Sequence, residues 1–218
     1  MPEGLLAIGG DLRPERLILA YSMGIFPWSE VGEPLLWWSP DPRMMLFPKE
    51  LHISKSMRKV LRENLFEIRF DTSFRDVIEQ CARSQGRSLN GSWLSNELME
   101  AFVQLHHRGL AHSVEAWHNE QLVGGLYGLS LGACFFGESM FYTTSNASKA
   151  AFISLTQFLD KHGFMLIDAQ QDTPHLASLG AKPRPRAEFL NLLAKAIRMP
   201  TLVGKWNSPD QHYVSLSF

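Results

Sequence analysis

The sequence predicts an α+β fold with a mostly antiparallel sheet at its centre. Three observations carry this. Residues 111–117, 122–129 and 133–141 read as successive strands, turned at HNEQ and SLG. A helix-patterned stretch, a buried strand and another helix follow them. From Leu51 onward helical and strand periodicities alternate without repeats or low-complexity tracts.

The elements follow in order. Residues 1–48 are rich in Gly, Pro and Trp and form an expected small N-terminal domain, with 49–218 as the larger one. Asp11 is expected to cap a helix over 14–23, with Pro14 in its first turn. GIFPW, a loop and LLWWSPDPRMML follow, punctuated by Pro40 and Pro42. A basic helix is expected over 54–62 and a strand over 66–70. Ser73 with Asp76 reads as a capping box, opening a helix with Phe74, Val77, Ile78 and Cys81 on its apolar face. A helix over 95–107 follows, with Leu98, Phe102 and Leu105 at helical spacing. After the meander comes a helix over 146–162, carrying Phe152, Leu155, Phe158 and Leu159 on one face and ending at Gly163. FMLIDAQ reads as a buried strand. A last helix starts near Pro185, with Phe189, Leu190, Leu193, Ala196 and Ile197 facing inward.

Composition excludes several classes. A net charge of −1 gives no global sign of a nucleic-acid binder, so basic segments must be local. Cys81 and Cys134 are isolated, which gives neither zinc spacing nor a disulfide framework and fits a reducing cytoplasm. MPEGLLAIGGDL lacks the pattern of a signal peptide, and no apolar run approaches the ~20 residues of a membrane span. GGLYG lies inside a strand and reads as close backbone packing or a bulge, not a phosphate loop. The histidines show no helical metal pair, and no GxSxG elbow exists.

Three segments stand out. GIFPW with WWSPDPR places large aromatics beside a proline turn, to bury something or meet a ligand. In FFGESMF, strand geometry puts Phe136, Glu138 and Met140 on one face and Phe135, Gly137 and Ser139 on the other. A carboxylate between large apolar groups is functional or is paired with an internal arginine. In LIDAQ, Asp168 and Gln170 are two apart, so Asp168 is expected to bond the Gln170 amide and aim its carbonyl; the alternative is a strand-end turn.

The strings GLLAIGGDL, ILAYSMGIFPW, LLWWSPDPR, LHISKSM, GESMFY, NASKAA, LIDAQ and HLASLGA cover nearly the whole chain in order. In them the chain resembles the leucyl/phenylalanyl-tRNA–protein transferase family. The resemblance implies a bacterial cytosolic enzyme without metal or cofactor. It moves Leu or Phe, and Met less well, from aminoacyl-tRNA to proteins beginning with Arg or Lys, marking them for degradation. It also implies a small N-terminal domain and an acetyltransferase-like (GNAT-like) C-terminal domain.

Residue by residue, Tyr21, Trp28 and Trp93 match positions around the tRNA's terminal adenosine. Phe135, Gly137 and Glu138 match the substrate-binding strand, and Asp168 and Gln170 the pair assisting chemistry, with Glu138 counted beside them. Leu126 and Leu155 stand where Met and Phe occur, and Ala169 and Gln171 where Cys and Val occur. Leu126, Phe135, Phe152 and Leu155 are the candidates for the side-chain slot. Lys55, Arg58, Lys59 and Arg62, with Arg184 and Arg186, are the candidates for tRNA phosphates. A monomer that does not bind membranes is expected. Two rival readings are a CoA-dependent acetyltransferase and a non-catalytic tRNA- or peptide-binding module. TTSNASK, before the helix over 146–162, lacks the glycines that cradle a pyrophosphate.

Overall fold

The computed structural model describes residues 3–30, 32–84 and 94–216. The expected meander forms: β6 (Ala111–His118), β7 (Gln121–Leu131) and β8 (Cys134–Tyr142) are antiparallel neighbours. β5 (Glu67–Phe70) extends the sheet beyond β6. Beyond β8 lie β9 (Leu166–Gln170), β4 (Arg43–Leu46) and β10 (Lys182–Arg184). Among the described residues this makes a seven-stranded sheet, ordered β10-β4-β9-β8-β7-β6-β5. Its single parallel pair is β8 with β9, and the crossover that parallel pairing demands is α5 (Ala147–Lys161).

Each face of the sheet buries its own cluster. One holds Leu17, Phe74, Ile78, Phe102, Phe136 and Phe189, from α1 (Pro14–Ser22), α3 (Phe74–Arg83), α4 (Asn96–His107), β8 and α7 (Arg186–Ala196). The other holds Met57 from α2 (Lys55–Arg62), Phe152 and Leu155 from α5, Phe135, and Trp206. A separate three-stranded sheet joins β1 (Leu5–Ile8), β3 (Leu36–Trp38) and β2 (Phe26–Pro27) in that order. Residues 43–46, which a division at 48 assigns to the N-terminal unit, belong to the large sheet.

The glycines of GGLYG act as close-packing positions. A Cβ on Gly124 would stand 2.6 Å from the Ala147 Cβ, and one on Gly128 would stand 2.2 Å from the Phe136 carbonyl. Opposite Tyr127 and Gly128, the neighbouring strand β8 carries a bulge.

Helix starts divide into expected and corrected cases. The Ser54 and Ser95 side chains cap α2 and α4, accepting from Met57 N at 3.2 Å and Leu98 N at 3.1 Å. Asp11 does not cap α1. Its carboxylate accepts from Arg13 N and from the Arg16 guanidinium, and Arg13 stands at the cap position. The Ser73–Asp76 capping box does not form either, for Ser73 makes no side-chain cap. Buried Glu115 takes its place from β6. It accepts from Thr72 N, Ser73 N, Thr72 Oγ1 and Ser113 Oγ, the last two at 2.6 Å. Leu190, expected inside, is 37% exposed, because Phe189 and Leu193 already fill the inward stripe of α7.

Replacing Glu115 by Ala is expected to cost about 3 kcal/mol, because the buried Ser113 hydroxyl and the part-buried Thr72 and Ser73 donors lose their acceptor at once. Asp76→Ala should change stability by less than about 0.5 kcal/mol, as surface substitutions do. Urea denaturation midpoints of the two variants compare these directly, and equal losses would return the cap to Asp76.

Candidate active site

The site sits where the parallel ladder ends. β8 and β9 pair through Cys134–Leu166, Phe135–Ile167 and Phe136–Asp168, and the two strands then continue without pairing to each other. An irregularity flanks the gap on each strand. On β8, Tyr127 opposes Ser139 and Gly128 opposes Gly137, so Glu138 has no partner on β7. On β9, Met45 opposes Asp168 and Met44 opposes Gln170, which leaves Ala169 unopposed. Gln170 takes a left-handed backbone with φ 61°.

The first bulge corrects the expected strand faces. Phe136 belongs to one buried cluster, while Met140 packs with Phe135 in the other. Ser139 instead turns toward Cys81, on the side of Phe136. The slip of one residue moves every side chain after Glu138 to the opposite face.

Beneath the gap lies an ion pair that the sequence did not reveal. Arg43, fully buried on β4, donates from Nε and Nη2 to the two carboxylate oxygens of Asp168, at 2.7 and 2.6 Å. Its Nη1 donates to the Gly24 carbonyl at 3.1 Å. The guanidinium lies between the Phe26 and Phe189 rings, 4.8 and 4.6 Å from their centroids. Asp168 Oδ1 also accepts from the Gln170 backbone N–H at 3.0 Å, which holds the left-handed turn. Asp168 therefore grips the main chain of Gln170, not its side-chain amide.

That amide is oriented by Glu138. Gln170 Nε2 donates to Glu138 Oε1 at 2.7 Å, and among the described residues Gln170 Oε1 accepts no hydrogen bond. The expected Asp168–amide bond does not form; Asp168 makes the strand-end turn, and the carboxylate that orients the Gln170 amide is Glu138 on β8. The phenols of Tyr21 and Tyr127 are buried close to Glu138. Neither hydroxyl makes a hydrogen bond of good geometry, although the Tyr21 O–H is near enough to favour the charged carboxylate. Glu138 is half-buried at the cavity, and desolvation by the surrounding protein pushes its carboxyl group up to about 7 against the pull of Tyr21, Gln170 and Arg43.

Above the gap opens a cavity of about 590 Å³. Leu126, Phe135, Phe152, Leu155 and Ile167 give it an apolar end. Gly137, Glu138 and Gln170 form its polar side, and Phe26, Pro27 and Trp28 form another wall. Asp168 and Tyr21 do not line it; both are fully buried behind it. Trp93 lies outside the described residues. Of the tandem tryptophans, Trp37 is buried and donates to the Gly9 carbonyl. Trp38 donates to the Trp28 carbonyl and meets the Trp28 ring edge-on, fixing it at the cavity.

Lys55, Arg58, Lys59 and Arg62 are exposed on α2, with Lys59 3.8 Å from Glu63. Arg184 is 3.6 Å from Glu188, and Arg186 Nη1 donates to the Ser39 carbonyl at 2.6 Å, which ties it to the fold. Among the described residues no group of three His, Cys, Asp or Glu is placed to hold a metal ion. Nor is any helix long and apolar enough to cross a membrane.

Comparison with known proteins matches this arrangement to a family. Residues 45–194 match the model of the leucyl/phenylalanyl-tRNA protein transferase, and residues 10–41 match the model of its N-terminal domain. The transferase of that name from Desulfatibacillum aliphaticivorans is 54% identical over 96% of this chain and 90% of its own. Those from Azotobacter vinelandii and Myxococcus xanthus are 54% and 52% identical, over 92% and 94% of this chain and 88% and 87% of theirs. An aminoglycoside acetyltransferase from a soil metagenome aligns with 53% of this chain and 84% of its own, at 18% identity and a TM-score of 0.42, too distant a similarity to fix a shared fold. The protein is an enzyme of the aminoacyl-tRNA–protein transferase class. It belongs to the leucyl/phenylalanyl-tRNA–protein transferase family.

Two predictions follow from the buried charges. Arg43→Met leaves Asp168 unpaired in the interior and should cost about 3–5 kcal/mol, while adding Asp168→Leu should restore part of that loss. Chemical denaturation of the single and double variants tests this; a double variant less stable than either single one would contradict the pairing. For Glu138 the linkage sign is set by a folded pKa of about 7 against an ordinary 4.5. Between these values the folded state holds a proton that the unfolded chain has lost. This contribution is complete below about pH 4.5 and vanishes as pH rises through 7. Relative to Glu138→Gln, wild type should lose on the order of 1–3 kcal/mol of unfolding free energy between pH 5 and 8. Parallel urea titrations at the two pH values should diverge in that direction.

Proposed function

We propose that the cavity receives the aminoacyl end of Leu-tRNA or Phe-tRNA and that the enzyme transfers this amino acid to the α-amine of proteins beginning with Arg or Lys. The observation that carries the chemistry is the Gln170 amide, whose NH₂ end is held by Glu138 and whose Oε1 is left free at the cavity wall. In its charged form Glu138 can satisfy only the donor end of the amide, so the acceptor end faces the substrate.

The reaction asks for little more than alignment. The α-amine nitrogen attacks the ester carbonyl carbon, a C–N bond forms, and the ester C–O bond breaks. The proton lost by the amine ends on the ribose oxygen that leaves with the tRNA. The ester is already activated, and holding two reactants in register contributes as much as ~7–11 kcal/mol. Gln170 Oε1 accepts a hydrogen bond from the amine and directs its lone pair toward the carbonyl carbon. Leu126, Phe135, Phe152 and Leu155 receive the Leu or Phe side chain, and a slot of this kind admits Met less well. Trp28 and Phe26 flank the terminal adenosine. Lys55, Arg58, Lys59 and Arg62 neutralise backbone phosphates, with Arg184 and Arg186 beside them. The modified protein then carries a bulky apolar N-terminus that marks it for degradation in the cytoplasm.

The deciding assay mixes the enzyme with Leu-tRNA and an Arg-initiated peptide and reads one added Leu by mass spectrometry. Acetyl-CoA in place of Leu-tRNA should give no product. Gln170→Ala should slow single-turnover transfer roughly 30–200-fold, the size of one lost transition-state hydrogen bond, while tRNA affinity stays within about twofold. A wild-type rate in that variant would remove Gln170 from the chemistry.

A further inference from the structure

The C-terminal segment after α7 lies beyond the stretch that matches the transferase family model, which ends at residue 194. It does not hang free. Thr201 Oγ1, fully buried, accepts from Gly132 N at 2.7 Å. Gly204 N donates to the Gly109 carbonyl at 3.2 Å, and a Cβ on Gly109 would stand 2.3 Å from Gly204 N. β11 (Thr201–Val203) pairs with β12 (His212–Val214), and the connection between them drives Trp206 into the core at 4% exposure.

Trp206 is fixed on several sides. Its backbone N–H donates to Asp71 Oδ2 at 2.8 Å. The same buried carboxylate takes His112 Nδ1 at 2.9 Å and, through Oδ1, Ser113 N at 2.9 Å. The His112 ring stacks on the indole at 3.8 Å with planes 9° apart. Phe158 and Phe164 close round it, with centroids 4.7 and 6.1 Å away. Toward the cavity its neighbour is Phe135, 5.8 Å from centroid to centroid. Phe135 lines the cavity and Trp206 does not. The Phe135 ring also occupies the space of the missing Cβ at Gly128, 2.6 Å from that position. It is thus held between a glycine and an indole that is itself immobilised.

We propose that Trp206 sets the depth of the amino-acid slot by backing Phe135, which makes the C-terminal segment a determinant of the choice between Leu and Phe. The proposal rests on the transfer reaction of the preceding section. Close-packed interiors transmit a change of volume to the next layer, so a smaller residue at 206 lets the Phe135 ring recede. A deeper slot fills better with Phe and worse with Leu.

The test compares kcat/KM for Phe-tRNA and Leu-tRNA in wild type, Trp206→Phe and Trp206→Leu. The Phe-to-Leu ratio should rise at least about fivefold in Trp206→Leu and less in Trp206→Phe, within the range one methylene misfit spans. Leu105→Ala, a fully buried change in the opposite cluster, controls for general loosening and should leave the ratio unmoved. If the Trp206 variants fail to fold, Phe164→Leu loosens the indole from another side and should move the ratio in the same direction. A ratio within twofold of wild type in a folded Trp206 or Phe164 variant overturns the proposal, as does an equal shift in Leu105→Ala. A wild-type enzyme that transfers neither amino acid would instead sink the underlying reaction.

Discussion

The Arg43–Asp168 pair has no access to water, so it persists only because its hydrogen-bonding capacity is used. Nε and Nη2 meet the carboxylate and Nη1 meets the Gly24 carbonyl. The faces of the guanidinium rest on two phenyl rings. Lysine could not substitute, since a single ammonium offers neither the fork nor the flat faces. The contact joins four places distant in sequence: the chain after α1, β4, β9 and α7. Phe26, one of those rings, is also a wall of the cavity. The buried pair thus fixes the spacing between the wall that carries Trp28 and the strand that carries Gln170.

The pair also limits what Asp168 does. Both of its oxygens face the Arg43 fork, and Oδ1 additionally receives the Gln170 backbone N–H. Two hydrogen bonds from Arg43 and one from the Gln170 backbone engage this carboxylate, and none comes from the Gln170 amide, which donates to Glu138 instead. Its work is done on the main chain, where it stabilises a left-handed glutamine that would otherwise be costly. Orientation of the side chain falls to Glu138, which occupies the bulge on the neighbouring strand. Two carboxylates of similar appearance in the sequence thus take different jobs: one holds the backbone and the other the amide.

The parts of the molecule legible in the sequence are those set by short-range pattern. The meander, α2, α4 and α5 follow from alternation, helical spacing and local caps such as Ser54 and Ser95. The strands of the small sheet were not legible, because segments of two to four residues are too short to carry a period. The cap of α3 was misassigned because its acceptor, Glu115, sits 43 residues from Thr72. Arg43 was invisible for the same reason: it is 125 residues from Asp168. The faces of FFGESMF were half right. Alternation holds up to Glu138 and fails after it, since a bulge is a property of two strands and cannot be seen in one. WWSPDPR drew attention through its tryptophans, but the residue that matters most to the site is the arginine at its end. A rule that asks which buried carboxylate an arginine beside a proline turn could reach would have raised that candidate.

The chemistry explains why irregular strand ends are used at all. A regular parallel pair would satisfy every main-chain group between β8 and β9 and would leave no room for a substrate. Ending the ladder at Phe136–Asp168 opens a gap, and the gap must then be bridged by side chains. Glu138 and Gln170 do so with one hydrogen bond of 2.7 Å. In the proposed reaction such a bridge needs no strong base, because the ester is activated before it arrives and the amine is partly neutral near its own pKa of ~8. What it needs is a rigid acceptor at a fixed distance from an apolar slot. The rigidity comes from the layer behind the bridge, Arg43 and Asp168 under β9, and the slot is backed in the same manner by Trp206 behind Phe135. In the proposed reaction, reactivity and selectivity are both set one layer away from the residues proposed to touch the substrate.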